Sequence, residues 1–245
     1  MRLLITRPEA DAERTAAVLR ARGHTVVVAP LIRIEPLLGA DFGAGPWAAV
    51  LVTSANVAQA IAKHAKRSAI VGLPVFAVGA RTGKAMRELG CASVVSAGGD
   101  AGDLARIVAA HLNPPASLLY LAGEQRSGDL GGDLRAKGFA VATVALYRAI
   151  TADILPPEAK AALARGIDGV MHFSRRSADA YVEGARAAGL LQSALRPAHF
   201  CLSAQVAAAL QAAGGIVHMA PQPTEAALLD LLDRIEDKRQ TPNQD

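Results

Sequence analysis

Residues 134–150 read Leu-Arg-Ala-Lys-Gly-Phe-Ala-Val-Ala-Thr-Val-Ala-Leu-Tyr-Arg-Ala-Ile. The stretch reads as the end of a helix, a glycine stop, a strand and an extended exit. Residues 19–34 read Leu-Arg-Ala-Arg-Gly-His-Thr-Val-Val-Val-Ala-Pro-Leu-Ile-Arg-Ile and repeat the plan. Leu19 corresponds to Leu134, Gly23 to Gly138, Val26 to Val141, Leu31 to Leu146 and Arg33 to Arg148, all at one constant offset. The new chemical group in the second copy is the phenol of Tyr147, which stands where the first copy has Ile32.

Working outward, the repeat covers nearly the whole chain. Ser54 corresponds to Ser174, each just past an apolar run and opening a helix. Phe76, Ala80, Ala85 and Gly90 correspond to Phe200, Ala204, Ala209 and Gly214 at a slightly larger offset. A drifting offset is the mark of loop insertions inside a duplication. Short apolar strands are expected at residues 3–6, 26–29, 48–52, 75–78, 93–95, 117–121, 169–172, 199–202 and 216–219. Helices are expected at 8–22, 53–66, 79–90, 101–111, up to 137, 156–165, 174–188, 203–213 and about 223–237. Strands alternating with helices imply parallel sheets covered on both faces. The expected fold class is therefore α/β, two related parallel-sheet domains joined by a two-stranded hinge.

Two divisions of the chain fit this pattern. One is a simple break at Pro114-Pro115. The other is an exchange through the matched exits at 31–36 and 146–150, so that two extended connectors cross side by side.

With 245 residues, 51% of them hydrophobic, the chain can bury a sizeable core. The charge of +4 and pI of about 9.3 permit an anionic ligand without requiring one. Absence of a Lys/Arg run with interleaved aromatics argues against nucleic acid as partner. Cys91 and Cys201 lack metal-ligand spacing and read as buried reduced thiols. The N-terminal apolar run is too short for a signal peptide, and no stretch is long enough to span a membrane, so a cytoplasmic protein is expected. Residues 236–245 are charged and polar, and read as a fraying tail.

Small or hydroxyl residues follow several strands: Thr6-Arg7, Thr53-Ser54, Gly79 through Thr82, Gly123, Ser174-Arg175 and Ser203. In open α/β sheets ligands bind beyond the carboxyl ends of the strands, where helix N-termini favour anions. Each position also reads as an ordinary helix cap. Arg7, Arg81, Arg126, Arg175 and Arg176 lie close by and could grip carboxylates bidentately. Residues 79–85 resemble a phosphate loop but have three residues between the glycines, not four, and Ala85 after the lysine. His172 lies near Ser174, but without a nucleophile elbow it reads as a packed or capping residue.

Taken together, Leu-Ile-Thr-Arg-Pro at 4–8, Val-Thr-Ser-Ala-Asn at 52–56, Phe-Ala-Val-Gly-Ala-Arg-Thr at 76–82, Leu-Tyr-Leu-Ala-Gly at 119–123, Val-Ala-Leu-Tyr-Arg at 144–148 and His-Phe-Ser-Arg-Arg-Ser-Ala at 172–178 resemble the uroporphyrinogen-III synthase family over nearly the full length. The resemblance implies the exchanged layout: residues 1–36 with 149–245 in one domain, and 37–148 inserted as the other. It implies a linear tetrapyrrole substrate, hydroxymethylbilane, closed to uroporphyrinogen III with inversion of ring D and loss of water, by a monomer with no cofactor or metal. By the same resemblance Tyr147 assists departure of the hydroxyl. Thr82, Ser54 and Ser174 match cleft hydroxyls, and Arg7, Thr53, Gly79, Gly123, Arg126, Arg175 and Ser203 complete the expected substrate-binding set. Residues 203–206, Ser-Ala-Gln-Val, depart from the Gly-Pro-Thr-Thr form of some members, and Val206 has no hydroxyl. The competing readings are a non-catalytic two-domain binder of a small anion and a ligand-sensing module of a regulator.

Overall fold

The structure, a computed structural model, describes residues 1–126 and 128–240. In chain order the elements are β1 (Arg2–Ile5), α1 (Glu9–Ala21), β2 (Thr25–Val28), β3 (Ile32–Pro36), β4 (Ala49–Val52), α2 (Asn56–Ala62), α3 (Arg67–Val71), β5 (Val75–Ala77), α4 (Ala80–Leu89), β6 (Val94–Ser96) and α5 (Ala101–His111). They continue as β7 (Ser117–Gly123), α6 (Leu130–Ala136), β8 (Ala140–Thr151), α7 (Pro157–Ala164), β9 (Gly169–His172), α8 (Arg175–Ala187), α9 (Leu191–Leu195), β10 (Ala198–Cys201), α10 (Ala204–Ala212), β11 (Val217–Met219) and α11 (Glu225–Gln240).

Local chemistry explains most of these boundaries. Gly23 and Gly138, the matched stops of the repeat, have φ of 86° and 90°, a left-handed conformation that a side chain disfavours. Asp100 caps α5 in a reciprocal box with Asp103, and Asp129 caps α6 through the Gly132 N–H. The strands are short and apolar because both of their faces are covered. Leu3, Leu4, Ile5 and all of β4 are fully buried.

Among the described residues the strands form two sheets, ordered β11-β10-β9-β1-β2 and β3-β8-β7-β4-β5-β6. Read from the other edge, the second is β6-β5-β4-β7-β8, the same plan with each strand replaced by its repeat partner. The first sheet thus takes two strands from the first copy and three from the second; the second sheet takes two from the second copy and four from the first, the fourth being the edge strand β3 beyond β8. The chain divides into two compact units, Met1–Arg33 with Ile150–Asp245, and Ile34–Ala149.

In the first unit, α7 to α10 pack on one face of the sheet around Leu4, Val170 and Tyr181. There α1 and α11 cover the other face around Leu3, Ile5 and Phe200. In the second unit, α2 to α4 cover one face, around Val50, Ile61 and Met86, and α5 and α6 the other, around Leu51, Leu104 and Leu134.

Several elements differ from the sequence reading. The helix expected at 53–66 ends at Ala62, and α3 is a separate piece. His64 causes the break: its Nδ1 accepts from the Lys66 N–H at 3.1 Å, its Nε2 lies 3.0 Å from the Ala40 carbonyl, and its ring stacks on Phe42. Helix α9 was not expected; it is held by the buried Ala194 and Leu195, and the Tyr181 hydroxyl donates to the Ala194 carbonyl at 2.9 Å.

The exit after Gly138 is one 12-residue strand, β8, rather than a strand and a loose connector. Its far half pairs with β3. The Leu37 N–H donates to the Leu146 carbonyl, and the Ala152 N–H to the Leu31 carbonyl, which makes this pairing antiparallel. Arg148 donates from Nε and Nη2 to Glu35 directly across the ribbon. Of the tail expected to fray from 236, residues 236–240 lie in α11, and 241–245 lie outside the described residues.

Candidate active site

In a doubly wound sheet a crevice opens where neighbouring strands send their following helices to opposite faces. In the second unit this occurs between β4 and β7. After β4 the chain enters α2 on one face, and after β7 it enters α6 on the other. A cleft of about 410 Å³ lies at the carboxyl ends of these strands, lined by Thr53, Ser54, Tyr120, Gly123, Gln125, Arg126 and Tyr147, with Val78, Gly99, Asp100 and Ala101 completing the wall.

Tyr147 reaches this cleft through a break in strand register. Ala122 lies opposite Ala145, but Gly123 lies opposite Tyr147, so Leu146 is the extra residue of a β-bulge. Leu146 and Tyr147 consequently both pack against the same core, although strict alternation would send them to opposite faces. The Glu124 N–H fixes the Tyr147 backbone by donating to its carbonyl at 2.8 Å. The ring lies over Gly123: a Cβ built there would stand 2.8 Å from Cζ and 2.9 Å from the phenol oxygen. The lack of a side chain at Gly123 thus permits this close approach of the phenol.

The rest of the wall is polar. Thr53 Oγ1 and the Tyr120 hydroxyl are 3.1 Å apart. The Asn56 N–H donates to Ser54 Oγ at 3.2 Å, so this serine closes the turn before α2, whose N-cap is Ala55. Arg126 points one guanidinium nitrogen at the Gly123 carbonyl, 3.5 Å away, and no carboxylate pairs with it among the described residues. Gln125 accepts from the Ala149 N–H at 3.4 Å. The arrangement offers a phenol, hydroxyl donors and a guanidinium to an anionic ligand. Gly79 caps α4 just beyond the wall without a side chain, and Thr82 is buried within α4 rather than lining the cleft.

The first unit has the equivalent switch point between β9 and β1. Arg7 and Ser174 stand there, just past the carboxyl ends of these strands. Arg7 is already engaged. It pairs with Glu225 at 3.2 Å and Asp11 at 3.7 Å, donates to Thr15, and lies 4.1 Å from the centre of the Phe173 ring. Burial pulls the Glu225 carboxyl upward, but the hydrogen bond from Thr15 and the charges of Arg7 and Arg14 outweigh it and hold it below the usual range. Ser174 caps α8, accepting from the Ser177 N–H at 3.2 Å. Ser203 stands at the N-cap of α10 without a side-chain cap bond. Arg175 is an exposed residue paired with Asp179.

His172 and His199 are fully buried in the first unit, with ring nitrogens 3.2 Å apart. Burial, joined by the proximity of His199, holds His172 well below its ordinary value. Burial likewise pushes Cys201 up to about 12 and raises Cys91, so both free, buried thiols stay protonated. No group of three or more His, Cys, Asp or Glu suited to a metal is found among the described residues. Tyr120 and Gln125 were not singled out from the sequence. The one signal was a phenol in an otherwise Leu- and Ala-rich buried strand.

The fold and these sites define a duplicated two-unit α/β protein with mostly parallel sheets and a polar cleft at the switch point of its second sheet. Residues 13–230 match the family of uroporphyrinogen-III synthase HemD, and the chain belongs to that family. Its fold is like that of uroporphyrinogen-III synthetase from Helicobacter pylori 26695, with 17% identity, 96% of this chain and 100% of that chain covered, and a TM-score of 0.64. It is also like a mutant uroporphyrinogen III synthase from the extremely thermophilic bacterium Thermus thermophilus, with 18% identity, 98% and 99% covered, and a TM-score of 0.51. No curated protein sequence matches the chain.

Proposed function

We propose that this chain is a cyclising hydro-lyase that converts hydroxymethylbilane to uroporphyrinogen III, inverting ring D and eliminating water, with Tyr147 as the group that assists loss of the hydroxyl. The observation that carries the reading is the Tyr147 phenol, held over Gly123 by the bulge of β8, in the switch-point cleft of a chain matched to this family.

The chemistry asks little of the protein beyond geometry. A hydroxymethyl group on a pyrrole leaves as water when its oxygen gains a proton or a strong hydrogen bond, and the pyrrole nitrogen supplies the electron pair from within the substrate. A phenol is a weak acid suited to that donation. The remaining work is to hold a flexible chain with its ends close together, which turns an improbable encounter into an intramolecular closure. Arg126, Thr53 and Ser54 would hold substrate carboxylates in the second unit. Arg7, Ser174, Arg175 and Ser203 are assigned the same task in the first, Ser174 through the free N–H groups that open α8. Gly79 would offer the free N–H groups that open α4, with Thr82 buried behind them in its first turn.

The substrate is the one partner of this reading, with a cytoplasmic monomer needing no cofactor as the working unit. No helix among the described residues is long and apolar enough to cross a membrane.

The test is a coupled assay. Hydroxymethylbilane is generated in situ, the protein is added, and the oxidised type I and type III products are separated. Type III product that scales with enzyme is expected, and Tyr147→Phe should lower kcat by about 100-fold. Type I product alone, which arises by uncatalysed closure, would leave only an anion-binding protein.

A further inference from the structure

We propose that Tyr120 is a positioning residue for this reaction, acting through Thr53 so that the pair presents one fixed hydroxyl donor to a substrate carboxylate. The inference rests on the reading above and adds a residue to it.

Strand β7 is central, and Leu118, Leu119, Leu121 and Ala122 are fully buried. Tyr120 is 6% exposed, and its ring packs with Phe76, Leu104 and Leu130 on the α5 and α6 face. A leucine would fill that space without burying a hydroxyl, and a buried phenol needs a partner. The partner is Thr53 Oγ1 at 3.1 Å, the first residue beyond β4. The register explains the meeting: Leu51 lies opposite Tyr120, and Thr53, two residues on, points to the same side of the sheet.

Two hydroxyls hold two hydrogens between them. Their mutual bond uses one, and among the described residues neither oxygen has another partner. One O–H therefore remains, and where Tyr120 donates the mutual bond it is that of Thr53, half-buried in the cleft wall. Tyr120, locked in the core, fixes the direction of that hydrogen before the ligand arrives. Arg126 is the one cationic side chain of the described wall, while Asp100 is a carboxylate tied to the start of α5.

The experiment compares Tyr120→Phe, Thr53→Val and the double variant in the type III assay, with thermal midpoints alongside. Each single variant should lower kcat/KM by about 3- to 10-fold, mostly in kcat. The double variant should be no worse than the poorer single, because both remove the same bond. Thr53→Ser, which keeps the hydroxyl, should stay within about 2-fold of the wild type. Full activity of Tyr120→Phe in a wild type that forms type III product overturns the proposal, as do losses that multiply in the double variant. If Tyr120→Phe does not fold, Thr53→Val decides: full activity overturns the pair, and a loss that Thr53→Ser restores upholds it. A wild type without type III product refutes the parent reading instead, and this inference with it.

Discussion

Replacing Gly123 by alanine should reduce catalysis while leaving the fold intact. The new methyl carbon would lie 2.8 Å from Cζ of Tyr147, against an ordinary contact of 3.4 Å, so the ring must withdraw by about 0.6 Å. Gly123 does not have a left-handed φ, so alanine there brings no backbone strain and the effect is one of contact alone. The obstructing atoms belong to the end of a half-buried side chain beside a cleft, which has room to swing. Stability should therefore fall by less than about 1 kcal/mol, a thermal shift of no more than about 4 °C for a chain of this size. The phenol oxygen, however, must meet a leaving hydroxyl within hydrogen-bond reach, and a misplacement of about 1 Å can cost on the order of 100-fold. A displacement of 0.6 Å points to a loss of about 10-fold in kcat, with KM little changed. The type III assay measures the first quantity and a melting curve the second. Unchanged kcat in Gly123→Ala, alongside a large loss in Tyr147→Phe, would refute the argument that this close approach positions the phenol. A loss of kcat matched by a collapse in stability would refute it differently, by showing that Gly123 serves the fold.

The buried histidines should make the first unit acid-sensitive. Unfolded, each takes up a proton near 6.5, whereas burial keeps His199 neutral down to about 4 and His172 well below 6.5. Unfolding therefore binds protons below pH 6.5, and stability present above that value is lost as pH falls toward 4, by up to about 1.4 kcal/mol per pH unit for each histidine. Urea midpoints at about pH 7.5 and about pH 5 should differ accordingly; equal midpoints would show that the pair is hydrated or charged in the fold. Glu225→Gln should cost about 2 kcal/mol in urea unfolding, because the carboxylate gathers Thr15, Arg7 and Arg14 at the start of α11. An unaltered midpoint would mean that this cluster adds nothing to stability.

The duplication and the α/β class were legible in the sequence alone, because they depend on local rules. Glycine stops, proline openings, capping residues and short doubly buried strands each write themselves into a few neighbouring positions. Gly23 and Gly138 could be matched because both end a helix at positive φ. Tyr147 stood out because it replaces Ile32 in an otherwise repeated stretch.

Tertiary structure decided what depends on partners distant in sequence. The break at His64 follows from Phe42 and Ala40, and α9 from its packing beside Tyr181. Arg7 reads as a free cation in sequence, yet Glu225, at the far end of the chain, claims it. Tyr120 reads as one more core residue until β4 brings Thr53 beside it. The face on which Tyr147 lies is settled by a single extra residue in β8, Leu146, since one added residue reverses the alternation of everything beyond it. Sequence by itself determined which residues could do chemistry; strand order and register, set by packing across the sheet, decided which of them meet.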